Sequence, residues 1–90
     1  MTSVRNQCAK ELMIIPGVGK SIAEDLLNIG ITSVDDLRGQ DPEVLYDRSN
    51  RFTGMVQDRC LLYCFRGAVY FAETPVELRD PEKLKWWNWK

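Results

Sequence analysis

The sequence has no histidine among its 90 residues. That absence excludes histidine-based catalytic triads, histidine general bases and histidine metal ligands. There are three cysteines, and an odd number argues against the disulfide framework of a small secreted protein. No apolar run approaches the ~18–20 residues of a membrane-spanning helix, and residues 1–10 lack the apolar core of a signal peptide. We therefore expect a soluble, cytoplasmic protein that does not associate with a membrane.

Neither sign of charge dominates, because 12 Lys and Arg residues face 13 Asp and Glu residues. This balance excludes histone-like binding to nucleic acid, which depends on a large positive excess. The charges are nevertheless distributed unevenly, since residues 1–20 sum to +2, residues 21–47 to −6 and residues 48–66 to +3. Two basic segments therefore flank an acidic one, and the net charge of −1 describes no single surface.

Apolar residues recur at helical spacing along the chain, and the alternating pattern of β-strands is nearly absent. With 44% hydrophobic residues the composition is globular, and the length fits a single domain over residues 1–90. The sequence predicts a compact all-α domain of five to six helices. These run from Ser3 to about Ile15, from Gly19 to Gly30, from Ser33 to about Arg38, from Asp41 to about Asp47, from about Gly54 to Ala72, and from Asp80 into the tryptophan-rich end.

The longest predicted helix should form the centre of the core. Its apolar residues occupy an arc much wider than the apolar face of a surface helix. They are Val56, Cys60, Leu61, Cys64, Phe65, Ala68, Val69 and Phe71. We interpret Cys60 and Cys64 as small core residues, since a zinc site needs about four ligands and only Cys8 remains. The sequence therefore predicts no metal site built from side chains.

The stretch from Leu12 to Leu27 predicts a tight helical hairpin. Gly17 lies where two helices reverse direction within about four residues, which commonly requires a positive φ. Val18 can point inward and hold the loop on the core, whereas Gly19 leaves the backbone open at the entrance to the second helix. The small side chain of Ala23 allows the two helices to cross closely.

Backbone N–H groups near this turn are predicted to lack partners, because they begin a helix. Together with the positive end of the helix dipole they form an anion site, to which Lys20 adds a charge and Ser21 a hydroxyl. A phosphate diester fits such a site, because the site recognises charge and shape rather than base edges. The candidate phosphate-binding residues are Gly17, Val18, Gly19, Lys20 and Ser21.

Residues 12–27 resemble the helix-hairpin-helix motif in both glycines, the flanking hydrophobic residues and the small Ala23. The resemblance implies non-sequence-specific binding to the DNA backbone, as in repair, recombination and replication proteins, and it allows a monovalent cation at the carbonyls of residues 16–19. Residues 31–37 and 42–45 look like the continuation in SAM-like versions of the fold, where a second hairpin follows. Here that hairpin would lie at residues 50–54 with a single glycine and no Gly-x-Gly, so we expect a degenerate hairpin, and this departure argues against a second phosphate site.

More narrowly, the whole chain resembles small bacterial proteins labelled "pathogenicity locus", some of which carry a mitomycin-resistance label. The hairpin, residues 66–71 and the tryptophan-rich end at residues 85–90 carry this resemblance. It implies the helix-hairpin-helix fold and a cytoplasmic location, and it says little about biochemical role.

Some charged residues near the turn favour DNA binding and others oppose it. Arg5 and Lys10 lie on the helix that precedes the turn and are candidate supporting residues. Glu24 and Asp25 follow the proposed phosphate site closely and would repel a duplex that they faced.

A basic and aromatic stripe should follow one edge of the long helix, within about 60° of arc. Its members are Arg59, Tyr63, Arg66 and Tyr70. The stripe has two interpretations. In the first it is a surface that binds nucleic acid or a protein partner, with Arg59 and Arg66 as supporting basic residues. In the second it is the less buried seam of a core helix. In the second case its arginines pair with acidic residues of neighbouring helices. Trp86, Trp87 and Trp89 likewise either close the core or form an exposed docking surface.

Two functions remain, because no paired-carboxylate motif, nucleophile elbow, complete P-loop or metal cluster indicates an enzyme or a cofactor. The first is an accessory module that binds DNA weakly and without sequence preference through the hairpin. The second is a protein-interaction module of the same fold, which binds an unidentified protein through residues 24–47 or the tryptophan tail. Nothing in the sequence predicts an oligomeric state.

Overall fold

The structure is a computed structural model that describes residues 4–89. Within this range the chain forms four α-helices, which are Val4–Leu12 (α1), Lys20–Asn28 (α2), Pro42–Thr53 (α3) and Arg59–Glu73 (α4). Four short 3₁₀ helices complete the fold at Asp35–Leu37, Val76–Leu78, Pro81–Leu84 and Trp86–Trp89. No strand occurs in the described residues, and the Cα radius of gyration is 12.4 Å, so the prediction of a compact all-α fold is confirmed.

The count of five to six helices was too high for α-helices. The segments predicted as helices after Ser33 and after Asp80 are 3₁₀ helices of three and four residues. Ser33 contributes as expected, since its Oγ accepts a hydrogen bond from the N–H of Asp36 at 3.3 Å. The predicted cap of α1, Ser3, lies outside the described residues.

Helices α1 and α2 form an antiparallel pair joined at a glycine turn. Helix α1 ends at Leu12, three residues before the end that Pro16 predicted near Ile15, and Gly17 makes the turn with φ of 86°. Helix α2 ends at Asn28, and Gly30, its predicted stop, follows two residues later with φ of 93°. There the N–H of Ile31 bonds the carbonyl of Leu26 at 3.0 Å, which is the Schellman pattern that a glycine stop allows.

Helix α3 begins as predicted and continues further than predicted. The carboxylate of Asp41 accepts a hydrogen bond from the N–H of Glu43 at 2.9 Å, and Pro42 occupies the first turn. The helix ends at Thr53 rather than near Asp47, with Gly54 as its left-handed C-cap. Its second half presents no apolar face to the core, so the apolar pattern did not reveal it.

Helix α4 begins five residues later than predicted. The carboxylate of Asp58 accepts a hydrogen bond from the N–H of Cys60 at 2.9 Å and caps the helix, so residues 54–58 form a loop. Val56, predicted to lie in the apolar arc, is 85% exposed in this loop. Phe65 is fully buried at the centre of the core, as predicted.

The core joins residues from all four α-helices and from the connections between them. Its most buried members are Leu12, Ile15, Ala23, Leu26, Leu37, Leu45, Phe65 and Ala68. Cys64 is also buried, and burial raises the pKa of its thiol, in agreement with its interpretation as a core residue. No helix within residues 4–89 is long and apolar enough to cross a membrane.

Candidate nucleic-acid interface at the first hairpin

The turn between α1 and α2 has the conformation that its sequence predicts. Gly17 has a positive φ, and Val18 is 5% exposed, so its side chain holds the loop on the core. Ala23 is fully buried between the helices. Gly19 differs from Gly17, because its φ of −90° and ψ of −174° suit any residue and a Cβ at this position would meet no atom within 4 Å. The fold therefore does not require glycine at position 19.

The N-terminus of α2 carries backbone donors without an acceptor in the described part of the chain. Gly19 is its N-cap and provides no side-chain bond, and the first helical bond is donated by Ala23 to the carbonyl of Gly19. The N–H groups of Lys20, Ser21 and Ile22 therefore have no acceptor within the described residues 4–89. Such a helix end attracts an anion through both its donors and its dipole.

Helices α3 and α4 begin differently. The carboxylates of Asp41 and Asp58 occupy the N–H groups at their first turns. The hydrogen bond from Cys60 lowers the pKa of Asp58, which keeps this cap charged. Among the α-helices whose N-cap the structure describes, α2 is thus the one that no carboxylate caps.

One of the predicted site residues, Val18, does not contribute as predicted. The N–H of Val18 donates to the carbonyl of Ile15 at 3.0 Å, so this group is not available to a ligand. The N–H of Ile22 takes its place as the third unpaired donor of the first turn. The sequence contained this signal, because the first three residues after any N-cap lack intrahelical acceptors.

Lys20 and Ser21 are exposed beside the unpaired donors, as expected. Glu24, one turn further along α2, is also exposed, whereas Asp25 is half-buried. Burial, followed by repulsion from Glu24, raises the pKa of Asp25. The site therefore combines a positive helix end with negative side chains one turn away, and any anion it holds must lie close to the helix end.

The structure separates the two supporting residues on α1. Lys10 is in the last turn of α1, next to the hairpin, and is exposed. Arg5 is at the opposite end of the helix pair, where its guanidinium donates to the side chain of Asn28 at 2.7 Å. Asn28 is eight residues from Lys20, or ~12 Å along a helix, so Arg5 does not join the site at the turn.

Two apolar side chains close to the turn are exposed, which the sequence analysis did not predict. Ile14 is 62% exposed and Met13 is 43% exposed. Ile15, which follows them directly, is buried.

A turn between α3 and α4 lies where the second hairpin is predicted. Gly54, with φ of 74°, makes this turn at the predicted glycine. The helix that follows is capped by Asp58, so its N-terminal donors are engaged by the protein's own carboxylate. The start of α4 therefore differs from that of α2, which no side chain caps.

The stripe on α4 is mostly engaged within the protein. Arg66 donates to the carbonyl of Trp89 at 2.6 Å and forms an ion pair with Glu43 at 3.3 Å, as the structural interpretation of the stripe predicts. The hydroxyl of Tyr70 accepts a hydrogen bond from the N–H of Asp80 at 2.7 Å. Arg59 remains exposed at the start of α4, and a hydrogen bond with Tyr63 raises its pKa. Arg66 therefore stabilises the fold, whereas the side chain of Arg59 is accessible to a ligand.

Together these features define a small all-α domain with an uncapped helix at a glycine turn. The chain belongs to the pathogenicity locus family, whose family model matches residues 5–90. It is 40% identical over 63 residues to the mitomycin resistance protein McrB of Streptomyces lavendulae. The aligned part covers 70% of this chain and 60% of that relative, so the chain spans less than two thirds of the relative's length. No solved structure matches the chain.

Proposed function

We propose that this chain is an accessory module that binds the DNA backbone without sequence preference, in DNA repair or recombination. In this proposal α1 and α2 are a helix-hairpin-helix, and the whole is a SAM-like domain. The 3₁₀ helix Asp35–Leu37 connects the first hairpin to α3 and α4, which form the degenerate second hairpin. The name of the relative in Streptomyces lavendulae extends the proposal to a role in resistance to mitomycin.

One observation carries the proposal. The N-terminus of α2 is uncapped, and the space beside Gly19, where a Cβ would lie, is open. A glycine that the fold does not require leaves space for a group from outside the protein. A phosphate oxygen placed there would accept hydrogen bonds from the N–H groups of Lys20, Ser21 and Ile22, in the manner of other anion sites at helix ends. Contacts of this kind position a protein on DNA and carry no sequence information.

Binding by the isolated chain should be weak. The net charge is −1, and the exposed Glu24 opposes the approach of a duplex. One or two phosphates at the hairpin give a shallow dependence on salt, with a slope of about −0.9 per phosphate for duplex DNA. The module would then act as one part of a larger assembly.

Fluorescence anisotropy of labelled duplex, single-stranded and branched DNA, measured over a salt series, tests the proposal. We expect weak binding to several unrelated sequences with equal affinity. Lys20→Gln should weaken this binding and reduce the slope by roughly 0.9, because it removes about one phosphate contact. Arg38→Gln, which changes the charge equally on another exposed element, is the matched control and should have a much smaller effect. No binding at low salt, or equal effects of the two variants, would refute the proposal.

A second candidate function is protein interaction, and a different part of the molecule favours it. Phe52, Met55 and Val56 are each more than 60% exposed around the turn between α3 and α4. Met55 and Val56, with Asp47 and Arg51, line an open groove of about 330 Å³. Exposed apolar patches often mark protein–protein contacts. If Met55→Ser abolished capture of a specific protein while leaving DNA binding intact, interaction would be the better description.

A further inference from the structure

The side of α3 that points away from the core carries charged and apolar positions in a symmetric order. Ser49 marks the buried side of this helix, since it is only 2% exposed. The opposite side, which we call the outer face, contains Val44, Asp47, Arg51 and Gly54. At about 100° per residue, Asp47 and Arg51 lie about 20° to either side of the line opposite Ser49. Val44 and Gly54 lie about 40° to either side of the same line, so an approximate two-fold axis relates the two pairs.

The positions that this axis relates are complementary in charge and in shape. Asp47 and Arg51 carry opposite charges, and both side chains are exposed, with 3.0 Å between Oδ2 of Asp47 and Nε of Arg51. Val44 is apolar and half exposed. At Gly54 a Cβ would meet no atom within 4 Å, and this glycine lines the open groove of about 330 Å³ together with Met55. The outer face therefore has a projecting side chain near one end and an opening near the other.

Polar contacts hold the loop that forms the wall of this groove. The side-chain amide of Gln57 donates to Oγ of Ser49 at 2.8 Å, and the backbone N–H of Gln57 donates to Oδ1 of Asn50 at 2.8 Å. Met55 and Val56 lie directly before this anchor and are exposed. A surface that is already ordered loses little freedom on binding, so the groove is suited to receive a side chain from another molecule.

We propose that a second copy of this chain covers the outer face, with the two α3 helices antiparallel about a two-fold axis at the level of Ser49. A two-fold contact uses the same patch on both copies, so the patch must be complementary to itself. In this arrangement Asp47 faces Arg51 of the partner subunit. Val44 enters the groove at Gly54 of the partner subunit, and the symmetry makes each of these contacts twice.

The short outer face predicts a weak and reversible dimer. Helix α3 has 12 residues, or ~18 Å of length, and interfaces below ~1,200 Å² belong to weak or transient complexes. The net charge of −1 on each chain opposes the association little. The contact uses no residue of the hairpin and does not depend on DNA binding. A dimer carries two hairpins, and if the proposed function holds, the pair binds a long duplex more tightly than one chain does.

Sedimentation equilibrium of the full chain without DNA, from about 10 µM to about 1 mM, covers the range of weak association and tests the proposal. The wild-type mass should rise with concentration from 10.4 kDa toward twice that value. Asp47→Arg alone and Arg51→Asp alone should stay monomeric, because each variant places like charges opposite each other at both contacts. An equimolar mixture of the two variants should regain the dimer mass, because each contact then joins opposite charges.

The mixture separates a contact between copies from damage to the fold, because two misfolded chains do not restore each other. Arg38→Asp makes the same charge change on another exposed element and should dimerise like the wild type. Val44→Ser should weaken the dimer, whereas Val76→Ser, at an exposed residue of another element, should not. A mixture that stays monomeric would overturn the proposal. A wild-type chain that stays monomeric at the highest concentration would also overturn it, and would leave the outer face to a different protein.

Discussion

Gly19→Asp should make the protein more stable and abolish its binding to DNA at the hairpin. Position 19 has an extended backbone, and a Cβ there meets no atom within 4 Å, so aspartate fits without strain. Its carboxylate can then bond the first-turn N–H groups, as Asp41 and Asp58 do in α3 and α4. The variant thus gives α2 the same start as the other two helices.

The two effects have opposite signs, and each can be estimated. A cap in place of glycine adds a few tenths of a kcal/mol, the helix dipole adds ~0.3–1 kcal/mol, and the loss of glycine's freedom in the unfolded chain adds ~0.4–1 kcal/mol. The total is ~1–2 kcal/mol, and each kcal/mol raises the Tm of a chain of this size by roughly 4–8 °C. Loss of a charge-assisted hydrogen bond to phosphate costs ~1.5–3 kcal/mol, which is at least tenfold in Kd.

Thermal unfolding by circular dichroism and DNA anisotropy on the same samples measure both effects. Gly19→Ala is the matched control for the loss of glycine alone, and its Tm should move little because alanine is a poorer cap. Val76→Asp places the same charge on an exposed residue of another element and should leave DNA binding nearly unchanged. A Gly19→Asp chain that gained stability and bound DNA like the wild type would refute the phosphate site at α2.

Other consequences follow from the charges and the core. Glu24→Gln should tighten duplex binding about twofold at low salt, since a charge ~8 Å from a phosphate in water is worth about 0.5 kcal/mol, and the gain should vanish at high salt. Hydrogen bonds from Thr32 lower the pKa of Asp36 below 3.8, so this carboxylate stabilises the fold above that pH. The free energy of unfolding should therefore fall as the pH drops through the lowered pKa, and Asp36→Asn should flatten that part of the pH profile measured by denaturant titration. Phe65→Ala should lower the free energy of unfolding by ~3–5 kcal/mol, whereas Val56→Ala should change it by less than ~0.5 kcal/mol, and equal losses would place Val56 in the core.

The parts of the fold that local chemistry determines were predictable from the sequence. Gly17 and Gly30 have positive φ where the helices were expected to turn and stop, and Asp41 caps α3 as expected. The buried arc of α4 was also predicted, because so many apolar residues at helical spacing can only face a core. Phe65 lies at the centre of that arc.

The errors have a common cause, which is that polar contacts decide where several elements begin and end. The second half of α3 buries Ser49 rather than an apolar residue, and the hydroxyl of Ser49 accepts a hydrogen bond from Gln57 at 2.8 Å. The bond between the carboxylate of Asp58 and the N–H of Cys60 caps α4, so the helix begins after Val56. The apolar pattern indicates neither this bond nor the bond of Ser49, so the end of α3 and the start of α4 were both misplaced.

The candidate site was predictable only in its backbone. Helix starts and glycine turns are local, and they gave the donors around Gly19 with an error of one residue. The partners of Arg5 and Arg66 are both 23 positions away along the chain, so their engagement with Asn28 and Trp89 required the tertiary structure. For the same reason the sequence did not decide whether Trp89 closes the core or forms an exposed docking surface. The side chains of Trp86 and Trp87 lie outside those that the structure describes.

The central claim is that the N-terminus of α2 holds a phosphate, and amide NMR tests it most directly. Adding a short duplex to the ¹⁵N-labelled chain should shift the amide signals of Lys20, Ser21 and Ile22 in a saturable manner. The same addition to the Gly19→Asp chain should leave these signals unchanged, because the carboxylate of the new aspartate already accepts hydrogen bonds from the N–H groups of this turn. Saturable shifts confined to other residues, or equal shifts in both chains, would contradict the claim.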